Sequence, residues 1–291
     1  MFDTTSTPAL RYRTDTARFD RLVEEAFSDP SLGRRTRDRL WDNIRLGVFD
    51  AHMPVNLPGF EQMDRATAER AMLNIVDFFF EPMVLSSMSH SQRLDYFLAI
   101  EASMSFEGKA GLTFGKPAVI ETVHHSAIFS IAVSLARVLV TTEGKASMIL
   151  LHQSDRPEPR LAQVAQALRV HLGMTLHFIP LKGAWFRSLV ELATPTSAVF
   201  YLADMPPMAR PEGRNASRQR DLDLVPDRTG STPVLTTLSV AARLSALLGA
   251  DHIVMDFPDS NKIALTQAGT DPEPMRCPLE DWVFWPAVEK A

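Results

Sequence analysis

Along the chain, the rhythm of apolar and polar positions changes near residue 105. Before that point, charged and apolar groups recur at helical spacing. FDRLVEEAF and RTRDRLWDNIRLGVF, between Arg18 and Ala51, predict two amphipathic helices parted by SDPSLG. A Pro-rich loop, HMPVNLPGF, then leads to a helix that begins near Ala66 and runs through AERAMLNIVDFFF, with Pro82 bending or ending it. Ser91 to Ala102 continues the helical spacing. Residues 1–104 therefore read as a helical layer, with no period-two strand pattern before MSFEG near Ser105.

From Pro117 the pattern alternates strands with helices, as parallel βαβ units do. AVIETV is a strand. SAIFSIAVSLARVL is a helix that Ser126 can cap, and Gly144 precedes the next strand, ASMILLH. RPEPRLAQVAQALRVHLG (helix), TLHFIP (strand), KGAWFRSLVELA (helix) and SAVFYLAD (strand, ending on Asp204) follow. Met205 to Thr229, rich in Pro, Arg and Asp, reads as a loop over the strand ends that can serve as a lid. TPVLTTLSVAARLSALLGA reads as a helix, HIVMDF as a strand, and a Pro-rich tail containing EDWVFW follows. The expected fold class is α/β, a mostly parallel central sheet flanked by helices with an N-terminal helical layer. It forms one domain over 1–291, helical over 1–104 and α/β over 105–291.

Composition narrows the function classes. Hydrophobic residues at 45% and charged residues at 22% suit a soluble globular protein, and a net charge of -5 argues against nucleic acid as a partner. Cys277 is alone, so internal disulfides are excluded. MFDTTSTPALRYR carries neither a signal-peptide apolar region nor a spanning helix, which leads us to expect a cytoplasmic protein. No apolar run reaches the roughly 20 residues of a bilayer crossing. IVDFFFEPMVL, Ile75 to Leu85, is expected to be a buried core helix, with peripheral contact at the inner membrane as the alternative.

Candidate chemistry gathers where strands end. In PAVIETVHHSAIFSIAVSLARVLV an apolar strand stops at His124 and His125 and a helix resumes, and in α/β sheets ligands collect at such corners. An imidazole there can act as a general base without an unusual pKa. Asp204 ends a second strand and can orient an imidazole, bind a cation or cap its loop. His152, Asp155 and Asp256 also fall at strand ends, where a structural role is the expectation. One Cys and no His-x3-His pair give no metal site. A Gly-rich phosphate loop and a G-x-S-x-G elbow are absent. Direct transfer with a general base is then the simplest enzymatic chemistry.

In order, RLWDNIRLGVF, the stretch from Ala66 to Glu101, GKPAVIETVHHSAIF, ALRVHLGMTLHFIP, FRSLVELATPTSAVFYLADMPP, TPVLTTLSVAARLSALLGADHIV and PLEDWVFW resemble successive segments of one family. It is the bacterial lysophospholipid-acyltransferase-like family that includes the late acyltransferases of lipid A biosynthesis. The resemblance implies that His124, or His125 if the alignment slips by one, deprotonates a hydroxyl or amine. That acceptor then attacks an acyl thioester on acyl carrier protein or coenzyme A, the donor substrate, with no further cofactor. It implies that Arg169 and Arg187 meet a phosphate or carboxylate, and Ser126 is a candidate substrate contact beside the pair. The family carries a carboxylate five positions after its His; here those positions are Phe129 and Ser130. The family's membrane-anchoring N-terminal segment has no counterpart here, which points to a small or carrier-bound acceptor rather than a membrane lipid.

Three readings follow. The imidazole is oriented by another group, Asp204 from a neighbouring strand, and the chain is an acyltransferase. Glu121 is a poorer substitute because four extended residues at roughly 3.3 Å each separate it from His125. Alternatively the chain is a catalytically degenerate module that binds an acyl chain or acyl carrier protein, or it is an unrelated α/β transferase.

Overall fold

In the computed structural model, the described residues are 9–12, 35, 37–39, 41–42, 65–107, 116–152, 159–204, 218–225, 234–269, 274–283 and 288–290. The two predicted N-terminal helices fall largely outside them, although residues 35, 37–39 and 41–42 are helical. Asp155 and most of the predicted lid also lie outside the described residues.

The described strands and helices run β1 (Ala9–Tyr12), α1 (Arg65–Ser86), α2 (His90–Ser103), β2 (Ser105–Glu107), β3 (Ala118–Thr122), α3 (Ile128–Glu143), β4 (Ser147–His152), α4 (Pro159–Leu172), β5 (Thr175–Pro180), α5 (Trp185–Leu192), β6 (Ser197–Leu202), β7 (Arg218–Val225), β8 (Val234–Ser239), α6 (Ala241–Leu248), β9 (Asp251–Asp259), β10 (Lys262–Gln267), β11 (Met275–Pro278) and β12 (Val288–Lys290). Local chemistry explains several boundaries. Ser89 and Gln92 close a reciprocal capping box on α2. Gly144, at φ 60, ends α3 in the left-handed conformation that glycine adopts without strain.

The fold is α/β. Seven strands form a mostly parallel sheet in the order β2-β10-β9-β3-β6-β4-β5, in which β9, β3, β6, β4 and β5 are mutually parallel and β10 runs against β9. Five more form a second sheet, β11-β7-β8-β1-β12. Helix α3 shows how the layers form. Ile128, Ile131, Ala132, Leu135, Ala136 and Leu139 recur every three or four residues and all are buried. They join Ala118 and Ile120 of β3 and the apolar faces of α1, α2 and α4 in one core, while Leu189 of α5 and Ala241 and Leu244 of α6 pack with Val119, Ile149 and Val199 in another. The run from Ile75 to Leu85 belongs to the first core, with Ile75, Val76, Phe78, Phe79, Phe80 and Leu85 all buried. Among the described residues no helix is long and apolar enough to cross a membrane.

Several expectations need correction. The first third contains a strand, β1, paired with β8 and β12. Helix α1 continues through Pro82 to Ser86. Within the predicted loop, residues 218–225 are strand β7, because Asp221-Leu222-Asp223-Leu224 alternates polar and apolar groups and Leu222 and Leu224 are fully buried. The front of the predicted helix TPVLTTLSVAARLSALLGA is strand β8, where the β-branched Val234, Thr236 and Thr237 favour extended backbone, and only Ala241–Leu248 is helical. The Pro-rich tail contributes β10, β11 and β12.

Candidate active site

Strand order creates the site. Strands β3 and β6 are parallel neighbours, with Thr122 opposite Leu202 and the Ala203 amide donating to the Thr122 carbonyl at 2.8 Å. The residues just beyond their carboxyl ends, His124 and Asp204, therefore emerge side by side. The His124 amide donates to Asp204 Oδ2 at 2.9 Å, and His124 Nδ1 lies 2.8 Å from Asp204 Oδ1. Asp204 is fully buried and also accepts from the indole Nε1 of Trp282 at 2.8 Å. An ionised carboxylate only accepts, so this contact assigns the imidazole proton to Nδ1 and leaves Nε2 as the proton-accepting nitrogen. Asp204 thus brings a carboxylate to the His124 ring across the sheet. Phe129 stacks on Phe78, at 5.9 Å between ring centroids, and Phe78 meets the His124 ring edge-on at 6.1 Å.

His125 is arranged differently. Its Nδ1 accepts from the Ala127 amide at 3.0 Å, which puts the proton of the neutral ring on Nε2, 3.5 Å from Asp281 Oδ2. The ring lies against Phe257, and its backbone bridges to Trp282. With 1% of its surface exposed, His125 is a buried anchor for the segment around Asp281.

That segment, Pro278 to Val283, closes the corner. Asp281 Oδ1 accepts from Ser126 Oγ and from Asn74 Nδ2, each at 3.1 Å, and its carbonyl accepts from the Ser126 amide at 2.8 Å. Ser126 therefore does not cap α3: Ala127 holds the cap position without a side-chain bond, and the hydroxyl is turned toward Asp281. Burial alone would raise the Asp281 carboxyl. The His125 ring and the hydroxyls of Ser260 and Ser126 outweigh burial and hold the carboxyl below the usual carboxylate range. Asn74 also donates to the Glu280 carbonyl, and Arg70 lies 3.6 Å from the Glu280 carboxylate. Arg70, Asn74 and Phe78 are spaced four apart, so one stripe of α1 serves Glu280, Asp281 and His124 in turn.

A second buried carboxylate–imidazole contact lies two residues before the end of the predicted AVIETV strand. Glu121, fully buried on β3, accepts from His252 Nε2 of β9 at 2.8 Å, so its carboxylate is engaged away from His125. Tyr201, opposite Glu121 on β6, has its phenol pushed up to about 12 by burial, with the charges of Glu121 and Asp204 adding to the effect. Cys277 is no candidate nucleophile. Burial first, then the carboxylates of Asp281, Asp204, Asp256 and Glu280, push its thiol well above the ordinary range.

The other sequence candidates sit elsewhere. Arg187 is exposed on α5 and paired with Glu191 of its own helix at 2.9 Å, and Arg169 is exposed in the last turn of α4. His152 ends β4 with its ring against Phe178. Asp256 is held by the backbone and guanidinium of Arg276, linking β9 to β11. Among the described residues no group of three His, Cys, Asp or Glu side chains could hold a metal ion. The contributions of Trp282, Asp281 and Asn74 were not singled out from sequence. The available signals were the polar Asn74 on an apolar helix face and the EDW run in the tail. The chain matches no family model and no curated protein.

Proposed function

We propose that the chain is an acyltransferase of the lysophospholipid-acyltransferase-like type that moves an acyl group from a thioester of acyl carrier protein or coenzyme A to a hydroxyl or amine. His124 Nε2 takes the acceptor proton as the acceptor's O or N bonds to the acyl carbon. The C–S bond breaks, and the imidazolium returns its proton to the departing thiolate. Asp204 holds the ring with Nε2 as the base and stabilises the cation formed in transit. The observation that carries this reading is the His124 Nδ1–Asp204 Oδ1 contact of 2.8 Å, made by a fully buried carboxylate at the carboxyl end of the next parallel strand. It supplies the partner that a His-based transferase needs, and the order of family-like segments along the chain supports the same chemistry. Phe78 and Phe129 give the corner an apolar wall suited to an acyl chain. The acceptor in this proposal is a small or carrier-bound molecule.

Thiol release from acyl carrier protein and coenzyme A thioesters, measured with hydroxyl and amine acceptors, tests the reading. We expect His124→Ala and Asp204→Asn each to lower the rate by roughly 10²- to 10⁴-fold. Wild-type rates in the His124→Ala variant would overturn His124 as the base. Tight binding of an acyl donor with no thiol release by the wild type would make the chain an acyl-binding module instead.

A further inference from the structure

We infer that Trp282 is a positioning residue for the His124–Asp204 pair, and that Pro278 to Val283 is the segment that brings it there. The indole reaches the carboxylate across 78 positions of sequence, and Trp282 is fully buried. Its place is fixed on both sides. The backbone of Trp282 bridges to His125, and its amide bonds back to Pro278. The preceding residue, Asp281, is held by Asn74 and Ser126, and its Oδ2 faces the His125 ring at 3.5 Å.

The two oxygens of Asp204 have different tasks. Oδ1 takes the His124 ring, while Oδ2 takes the His124 amide and the Trp282 indole. A carboxylate can turn about its terminal torsion, which is broad and nearly two-fold. Donors on Oδ2 oppose that turn and keep Oδ1 aimed at Nδ1. The indole N–H also bonds the carboxylate directly, a charge-assisted contact that adds to the hold on Oδ2. Trp282 acts through Asp204.

The spectroscopic arm of the test is independent of any reaction, and the kinetic arm rests on the acyl-transfer reading. Replace Trp282 with β-(3-benzothienyl)alanine, which keeps the bicyclic shape and exchanges N–H for sulfur, and separately make Trp282→Phe. Follow the downfield proton resonance of the His124 Nδ1–H bond, identified by its loss in Asp204→Asn. We expect this resonance to shift upfield or vanish through faster exchange in the benzothienyl protein, at unchanged fold by circular dichroism. In the same protein, kcat falls by about ten- to a hundredfold, as expected for loss of one hydrogen bond to a charged group, with KM within about twofold. A wild-type resonance and wild-type kcat in the benzothienyl protein overturn the proposal. If Trp282→Phe fails to fold, the isosteric variant decides alone. If the wild type turns over no thioester, the acyl-transfer reading falls while the resonance still decides the role of Trp282.

Discussion

Glu121, Tyr201 and Asp204 show how one residue can couple positions that lie far apart in sequence. Tyr201 lies opposite Glu121 on neighbouring strands, and the charges of both Glu121 and Asp204 oppose its ionisation after burial has done most of the work. Its folded pKa, about 12, lies above the ordinary value of 10.0. A raised pKa gives stability that is complete below pH 10 and is lost as pH rises toward 12. We expect the wild type to lose about 2 kcal/mol more than Tyr201→Phe between pH 9 and pH 12 in urea unfolding. Parallel curves for the two proteins over that range would contradict the assignment. At this scale, sequence reading went part of the way. His124 and Asp204 were visible as polar residues ending apolar runs, but Trp282 could not be matched to Asp204, because nothing local encodes a contact over such a separation.

At the scale of elements, the parallel alternation from Pro117 was legible because each βαβ unit carries its own hydrophobic period. Strands β7 and β8 were harder to read. Charged residues along β7 mask a two-residue alternation, and β8 runs directly into α6, so its apolar positions merge with a helical pattern. The beginnings of the parallel strands share a further device. Lys145, 3% exposed and just ahead of β4, donates its ammonium to the carbonyl of Lys116 before β3 and, at 2.9 Å, to that of Pro195 before β6. One cation thus clips three strand starts together at the end of the sheet opposite His124. Lys145→Met removes that donor from the carbonyls of two residues that are themselves exposed, and we expect a loss of about 1 kcal/mol in denaturant unfolding. An unchanged midpoint would show that the clip contributes nothing.

Across the whole molecule, the parts least legible were those assembled from distant strands. Strand β1 pairs with β12, Leu10 facing Lys290, and no sequence period announces such a partner. The two sheets meet where Arg276 of β11 grips Asp256 of β9, and burial raises that carboxyl even against the guanidinium. Removing only the cation leaves a buried acid without its partner, whereas removing both charges does not. We therefore expect Arg276→Leu to destabilise by about 1–3 kcal/mol and the added change Asp256→Asn to restore part of it, measured by thermal unfolding. A double variant no more stable than Arg276→Leu would refute this account.

The reach of Trp282 back to Asp204 also sets an order of events during synthesis. Translation at about 5–20 residues per second makes His124, then Asp204, and only seconds later the indole. Over that interval the emerging chain can pair β3 with β6 but cannot finish the corner. Ribosome-bound chains stopped before Pro278 should therefore contain the parallel sheet while Asp204 still lacks its bond from the Trp282 indole.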